Sequence, residues 1–177
     1  SQLTSHLETN DTAFEGMDSV AMGWGPLHRD GGGWPRPGID RVPGGFHSIT
    51  DCHIHHGGEI FPSGCGIWIG DNGYNTVQNN HIHHMHYTGI SVGWNWFFAP
   101  TYAMSNRIEF NHLHDITHSD LLHDLSAIYL LGRQPGSVIR NNHLHDIGGN
   151  GIYLDEGSSQ ILVEGNLGYK LDFLGFA

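Results

Sequence analysis

The segment IRNNHLHD (139–146) occurs twice earlier in nearly the same form, as VQNNHIHH (77–84) and IEFNHLHD (108–115). A second kind of segment alternates with it along the chain: GIWI (66–69), GISV (89–92), AIYL (127–130) and GIYL (151–154). Within each segment, apolar residues alternate with other residues, which is the period of a pleated strand that buries one face. The sequence therefore predicts short strands that recur along the chain.

Aligning the repeats places like residues in columns. One column holds asparagine at spacings of 31, 31 and 24 residues, with Cys52 in that place one repeat earlier: Asn80, Asn111, Asn142 and Asn166. Two further columns are β-branched: Ile67, Ile90, Ile128 and Ile152, and Val77, Ile108, Ile139 and Val163. Leucine-rich repeats would need a denser leucine pattern and a helical side. We therefore predict an all-β, right-handed parallel β-helix of about five to six coils, with stacked asparagines bonding one another ~4.8 Å apart.

The repeats define the expected domain organisation. Residues 1–44 are irregular and include a loop-like stretch, GPLHRDGGGWPRPG (25–38), with at most an incomplete coil. Residues 45–177 carry the repeats, and the chain ends inside the strand that would follow Gly151 by 24 residues. A solenoid needs caps over its open strand edges, and none is visible. The expectation is a fragment of a longer β-helix, truncated within a coil.

Composition narrows the class of partner. Only 14% of residues are charged and 26 are glycine, which suits short strands and tight turns. The net charge of −11, from 7 basic and 18 acidic residues, argues against nucleic acid as a partner. No apolar stretch reaches the ~18 residues of a membrane span. No cofactor is predicted.

Three insertions lengthen particular coils, and insertions on a rigid scaffold are where function is usually found. The longest, GWNWFFAPTYAMS (93–105), contains Trp94 and Trp96. The second, residues 117–126, contains His118, Asp120, His123 and Asp124, and the third precedes Ile67 and contains Glu59.

Aromatic residues beside acids are typical of a sugar site, because rings stack on sugars and carboxylates bind hydroxyls or do the chemistry. Trp68, Ser91, Tyr129 and Tyr153 share one predicted outward column that would form the floor of this site. The alternative interpretation is that the loop aromatics only pack the loop onto the coil, and the two interpretations are compatible.

Two acids are candidates for catalysis. Strand alternation predicts that Asp155 points outward, that Glu156 begins the following turn, and that Asp124 lies on the neighbouring coil. Asp124 precedes Ile128 by four residues, whereas Asp155 follows Ile152 by three. The two carboxyls therefore meet only if the 117–126 insertion folds back over the strand face. The alternative is that these are solvated loop acids.

Histidine is unusually frequent, with 16 residues. Eight of them flank the inward Ile or Leu of the repeated segment and form two columns: His53, His81, His112 and His143, and His55, His83, His114 and His145. Imidazole suits zinc or copper, but a metal site would be local whereas this pattern recurs in every coil. We therefore favour a stacked ladder of mostly neutral rings, and no metal site is predicted.

With these residues in view, the chain resembles the bacterial right-handed β-helix proteins around glycoside hydrolase families 141 and 120. The matching segments are HHGGEIFPSGCGIWIG (55–70), NNHIHHMHYTGISVGWNW (79–96), NRIEFNHLHDI (106–116), LLHDLSAIYLLGRQPGSVIRNNHLHDI (121–147) and GIYLDEGSSQILVEGN (151–166). The resemblance implies a catalytic carboxyl pair at Asp124 and Asp155, with Glu156 adjacent. It departs at HDLSAIY, where Ser126 and Ala127 replace two glycines, and at the short turn GGN (148–150).

The resulting prediction is a secreted, periplasmic or cell-surface glycoside hydrolase that cleaves a plant-type or other complex polysaccharide. Sugar-binding residues are predicted in and around the insertions: Glu59, Trp68, Trp94, Trp96, His123, Tyr129 and Tyr153. One alternative is a polysaccharide lyase or epimerase, which would need a basic residue such as Lys170, Arg133 or Arg140 near calcium-binding acids. The other is a non-catalytic glycan-binding β-helix or an inactive fragment.

Overall fold

The computed structural model describes residues 20–21, 45–98, 100–116 and 122–177, and all regular structure within these ranges is β-strand. The strands, in chain order, are β1 (Val20–Ala21), β2 (Ser48–Thr50), β3 (His53–Gly57), β4 (Ile67–Ile69), β5 (Thr76–Gln78), β6 (His81–Met85), β7 (Ile90–Gly93), β8 (Arg107–Glu109), β9 (His112–Ile116), β10 (Ser126–Arg140), β11 (His143–Ile147), β12 (Asn150–Glu164) and β13 (Leu167–Leu171). Within the described ranges, no helix is long and apolar enough to cross a membrane.

The strands stack into three parallel faces. The aromatic face consists of β1, β4, β7 and the first halves of β10 and β12. The connecting face consists of β2, β5, β8 and the second halves of β10 and β12. The histidine face consists of β3, β6, β9, β11 and β13. Each coil passes from the connecting face to the histidine face and then to the aromatic face, which confirms the predicted parallel β-helix.

The described residues make about four turns, from β2 through the first half of β12, followed by β13. The predicted five to six coils were therefore slightly too many. The second half of β12 and β13 form part of a further turn. Apart from β1, the predicted irregular segment 1–44 lies outside the described residues.

The predicted apolar columns form the core. Ile67, Ile90, Ile128 and Ile152 pair in register on the aromatic face, and the column continues to Val20 at one end and Phe176 at the other. Val77, Ile108, Ile139 and Val163 pair on the connecting face. Ile82, Leu113 and Leu144 are the inward residues of the histidine face, and all three are fully buried. Each coil thus buries one side of three strands against its neighbours.

The asparagine column is a continuous hydrogen-bonded ladder at the corner between the connecting and histidine faces. The Oδ1 atom of Asn111 accepts from the backbone N and the Nδ2 of Asn80, both at 3.0 Å. Its own Nδ2 donates to the Val77 carbonyl and to Asn142 Oδ1, both at 3.0 Å. Cys52 donates its backbone N to Asn80 Oδ1 at 3.0 Å, as its place in the column predicted. The ladder satisfies buried backbone groups that the corner would otherwise leave unpaired.

A second ladder, which the sequence analysis missed, occupies the corner between the aromatic and connecting faces. The Oδ1 atom of Asn106 accepts from the backbone N and the Nδ2 of Asn75, at 3.1 and 2.9 Å. Ser137 continues the column, since its Oγ accepts from Asn106 N at 3.1 Å. The spacing of 31 residues between these positions was the available signal.

Candidate active site

The predicted outward column of the aromatic face is in register. Trp68 pairs with Ser91, Ser91 with Tyr129, and Tyr129 with Tyr153. Although these residues point away from the core, Trp68 and Tyr129 are only 4% and 6% exposed. Other groups therefore cover the outer side of this face, as a binding site or a packed loop requires.

Trp94 places an aromatic ring at the coil whose own residue in this column, Ser91, is not aromatic. Its Nε1 donates to Ser91 Oγ at 3.0 Å, and its ring centroid lies 6.5 Å from that of Trp68 and 5.9 Å from that of Tyr129. Tyr129 and Tyr153 are 5.6 Å apart, so the aromatic rings run continuously across four coils. Trp94 reaches this position because Gly93 and Trp94 both have positive φ, 109° and 77°, which turns the chain out of β7.

The rest of the 93–105 insertion is anchored by polar contacts. The Oδ1 atom of Asp71 accepts from Thr101 Oγ1, Tyr102 N and Ala103 N, at 2.8, 2.7 and 3.1 Å. Trp96 lies 5.9 Å from Trp94, edge to face, and is 48% exposed. Phe97 and Phe98 are also exposed, at 57% and 71%. The insertion thus packs Trp94 onto the coil and presents other aromatic side chains to solvent, which fits the packing interpretation and leaves aromatic surface for a ligand.

The two predicted catalytic acids meet at the tyrosines of this column. Tyr129 donates its hydroxyl to Asp155 Oδ2 at 2.5 Å. Burial raises the pKa of Tyr153, and the charges of Asp155 and Asp124, together with hydrogen bonding to both carboxyls, raise it further. Asp124 and Asp155 therefore both act on the hydroxyl of Tyr153. Asp155 is half-buried, whereas Asp124 is exposed and has a φ of 63°.

The charges of Asp124 and Asp155 also contribute to raising the pKa of two other tyrosines, Tyr87 and Tyr129. Burial raises the pKa of Tyr87 to about 12, and the charges of Cys65, Asp124 and Asp155 add to the effect. The pKa of Tyr129 is raised by burial, by its hydrogen bond to Asp155 and by nearby charges. Both hydroxyls are thus protonated donors at neutral pH. Tyr87 was not predicted because it lies outside the insertions, although it is an aromatic residue two positions before the GISV segment.

A cavity of about 350 Å³ adjoins this cluster, near the lower end of the size range of ligand pockets. It is lined by Leu122, His123, Asp124, Leu125, Asn150, Tyr153, Phe173 and Leu174. Three predicted site residues, His123, Asp124 and Tyr153, therefore share one cavity. Asn150 and four apolar side chains form the rest of the wall.

The remaining predicted site residues lie farther from the tyrosines or outside the residues that the structure describes. Glu156 is exposed and follows Asp155 at the start of the turn in β12. Glu59 is exposed in the turn between β3 and β4, at the same corner as Asp124 but two coils away. His118 and Asp120 lie outside the described residues. The compact part of the site is therefore the group of tyrosines, Trp94 and the two aspartates.

Two of the basic residues that a lyase would use are engaged elsewhere. The Arg140 guanidinium pairs with Glu109 at 2.8 Å on the connecting face, and the Lys170 ammonium pairs with Asp146 at 3.0 Å on the histidine face. Arg133 lies closer to the aromatic face, where it donates to the Phe98 carbonyl at 3.4 Å and to Gln160 at 3.3 Å. Neither Lys170 nor Arg140 is placed beside the carboxyl pair, which disfavours the lyase alternative.

The histidine columns form the predicted ladder on a different face. Facing rings of the first column stack at 4.8, 4.9 and 4.6 Å from His53 through His143. Those of the second column stack at 5.3, 4.9 and 4.9 Å from His55 through His145, and Tyr169 stacks on the last ring at 5.1 Å. Burial and the charges of neighbouring rings lower the pKa of His83 and of His112 to about 4. The two rings are therefore neutral at pH 7.

Comparison with known proteins agrees with the fold. A family model described as the right-handed β-helix region matches residues 33–167, more than half of the chain, and the chain belongs to this family. It is also similar to a solved structure named as a glycoside hydrolase, with 25% sequence identity and a TM-score of 0.66. The similarity covers 81% of this chain and 26% of that chain, so the present chain spans about a quarter of that protein's length. No curated protein matches the chain.

Proposed function

We propose that this chain is the catalytic β-helix, or part of it, of a glycoside hydrolase, with Asp124 and Asp155 as the carboxyl pair. The observation that carries the proposal is the contact of both carboxyls with one hydroxyl, that of Tyr153. Two carboxyls that act on one hydroxyl are close to each other, as the carboxyl pair of a glycosidase must be. The similarity to a glycoside hydrolase supports the same reaction class.

The surroundings of each acid suggest different roles. Tyr129 donates a short hydrogen bond to Asp155, which fixes the orientation of that carboxyl. Asp155 is therefore assigned as the nucleophile or base. Asp124 lies at the wall of the cavity beside apolar Leu122 and Leu125, where it can reach a leaving-group oxygen, and is assigned as the general acid.

Binding of the sugar is assigned to the aromatic residues around the pair. The rings of Trp94 and Tyr153 flank Tyr129 and offer flat apolar surfaces for the faces of a sugar ring. The exposed Trp96 extends this surface outward for a longer chain. A polysaccharide is the substrate class proposed, and a secreted, periplasmic or cell-surface location follows from it as a further proposal.

The test is the release of reducing ends from plant cell-wall polysaccharides and from aryl glycosides by the purified protein. Asp124→Asn and Asp155→Asn should each reduce turnover by about 10²–10⁴-fold, since each removes a group that transfers a proton or attacks the sugar. The matched control is Asp51→Asn, an exposed aspartate at the corner between the connecting and histidine faces, and it should retain full turnover. Unchanged turnover in both test variants would disprove the assignment.

Glycan binding provides a separate readout. Trp94→Ala should weaken the binding of an oligosaccharide substrate by about tenfold, because a stacked aromatic contact is worth on the order of 1 kcal/mol. If the unmodified protein binds glycans and releases no product from any of them, the non-catalytic alternative is correct and the hydrolase proposal is wrong.

A further inference from the structure

The ring nitrogens of the histidine face converge in threes. In three sets, one nitrogen from each of three histidines lies within 4.8 Å of the other two. The lower set is His53, His81 and His83; the middle set is His81, His112 and His114; the upper set is His112, His143 and His145. Every set has the same construction: two stacked rings of the first column and one ring of the second column. Sequence spacing alone showed the columns but not this convergence.

A diagonal contact brings the nitrogens together. The Nε2 atoms of the first-column ring and the second-column ring one coil further on are 2.6 Å apart in the lower and middle sets, and 2.8 Å apart in the upper set. Two such nitrogens can share only one proton between them. A cation that replaced this proton would bind both lone pairs, and tetrahedral zinc with Zn–N bonds of ~2.0–2.1 Å needs a separation of ~3.3 Å. Small rotations of the rings supply the difference.

In each set, the other nitrogen of the second-column ring, Nδ1, already makes a polar contact. His114 Nδ1 contacts the Asp115 carboxylate at 2.7 Å, and His145 Nδ1 contacts the Asp146 carboxylate at 2.6 Å. His83 Nδ1 contacts His84 Nδ1 at 2.6 Å. A carboxylate on Nδ1 fixes the ring and makes Nε2 the free lone pair, which is the usual outer-sphere arrangement of metal-binding histidines. The Nε2 atoms of His114 and His145, in the middle and upper sets, are therefore oriented as ligands.

We propose that the histidine face binds divalent transition-metal ions through these sets, with zinc, nickel and copper as the ions that imidazole ligands select. The negative net charge of the chain favours the approach of cations. Three histidines leave one or more positions of the ion open to water. This site is on a different face from the carboxyl pair and does not depend on the proposed hydrolase activity.

Overlap between the sets fixes the stoichiometry. The middle set shares His81 with the lower set and His112 with the upper set, whereas the lower and upper sets share no residue. Two ions therefore fill the face, one in each outer set, and the middle set is then empty. The recurrence of the pattern, which seemed to argue against a metal site, instead provides more than one.

The experiment uses purified protein without a polyhistidine tag, freed of metal by chelator and titrated with zinc chloride by calorimetry. The original protein should bind two zinc ions through this face. His112→Gln removes the middle and upper sets and should leave one ion, and the double variant His81→Gln/His112→Gln should leave none. His114→Gln removes only the middle set and should still bind two. A double variant that binds as much zinc as the original protein disproves the proposal.

The matched control is His55→Gln, which removes a stacked ladder ring that belongs to none of the sets. It should retain both zinc ions, so a loss of zinc in His55→Gln would mean that ladder packing, rather than ligation, controls binding. Cobalt(II) gives a readout that needs no variant. The original protein should develop the visible absorption of cobalt with nitrogen ligands in low coordination number, and a purely aqueous cobalt spectrum would overturn the proposal.

Discussion

The histidine face and the aromatic face belong to the same coils but are built in opposite ways. On the histidine face, β6, β9 and β11 each have five residues and repeat the pattern histidine, apolar residue, histidine in register. On the aromatic face, only the inward isoleucine repeats; the outward residue changes from Trp68 to Ser91, Tyr129 and Tyr153, and loops of unequal length interrupt the coils. Repetition thus identifies what every coil needs for stability, and departure from it identifies a local site.

The comparison predicts that damage to a repeated ladder affects the whole stack, with the largest effect at its centre. Asn111→Ala removes the partners of Asn80, Val77 and Asn142 in a fully buried corner. The expected loss is about 3 kcal/mol in the free energy of unfolding, because buried groups are left unpaired. Urea unfolding measures it.

Asn166→Ala is the matched control for this change. Asn166 contacts Asn142 and the Ile139 carbonyl but is only half-buried, so the loss should be clearly smaller. Equal losses at Asn166 and Asn111 would show that the ladder does not act as a connected stack.

Damage to an anchor of the aromatic face should remain local. Asp71→Ala removes three hydrogen bonds that hold residues 101–103, and charge-assisted bonds of this kind are worth about 2 kcal/mol. The 93–105 insertion should loosen, with a change in tryptophan fluorescence and weaker oligosaccharide binding, while the β-sheet signal in circular dichroism is retained. Loss of the sheet signal together with the fluorescence change would contradict a separate, locally anchored insertion.

Lowering the pH should destabilise the protein through the histidine face. The pKa of His83 and of His112 is about 4 in the folded protein and ~6.5 in an unfolded chain. Between these values the unfolded state binds more protons, so the free energy of unfolding should fall as the pH is lowered from 6.5 towards 4. Urea unfolding at several pH values, with chelator present, measures the slope. The slope should decrease in His83→Gln/His112→Gln, and an unchanged slope would assign the acid sensitivity to other groups.

Raising the pH should destabilise the protein through the tyrosines near the aromatic face, and this effect should be smaller than that of acid. Tyr87 has a pKa of about 12 when folded and ~10 when unfolded. The folded state therefore keeps a proton that the unfolded state loses, and stability should decline as the pH rises above 10. Phenolate absorbance should show late-titrating tyrosines, and their number should fall by one in Tyr87→Phe. Asp155→Asn should lower the pKa of Tyr129, because a negative charge beside its hydroxyl is removed; no change would contradict their contact.

The sequence predicted the repeated parts of this fold because register is encoded by spacing. The asparagine ladder, the isoleucine column and both histidine columns followed from intervals that recur. The conformation of the insertions did not follow, because it depends on single contacts such as that of Asp71 with residues 101–103. Tyr87 was missed because nothing in its spacing separates it from an ordinary turn residue. The pairing of Asp124 with Asp155 was expected from the resemblance and did not follow from spacing, because it depends on the conformation of the chain around Asp124.

The residues beside the second column of the histidine face differ in charge and proton binding from one end of the stack to the other. In every coil the residue after the second-column ring has positive φ, and its identity changes along the stack: His56, His84, Asp115 and Asp146 follow histidines, and Lys170 follows Tyr169. A histidine there offers the preceding ring a partner that can take or give a proton, whereas an aspartate supplies a fixed acceptor. The two ends of an otherwise uniform column therefore differ in how readily they exchange protons with water, and the stack has a chemical direction along its axis.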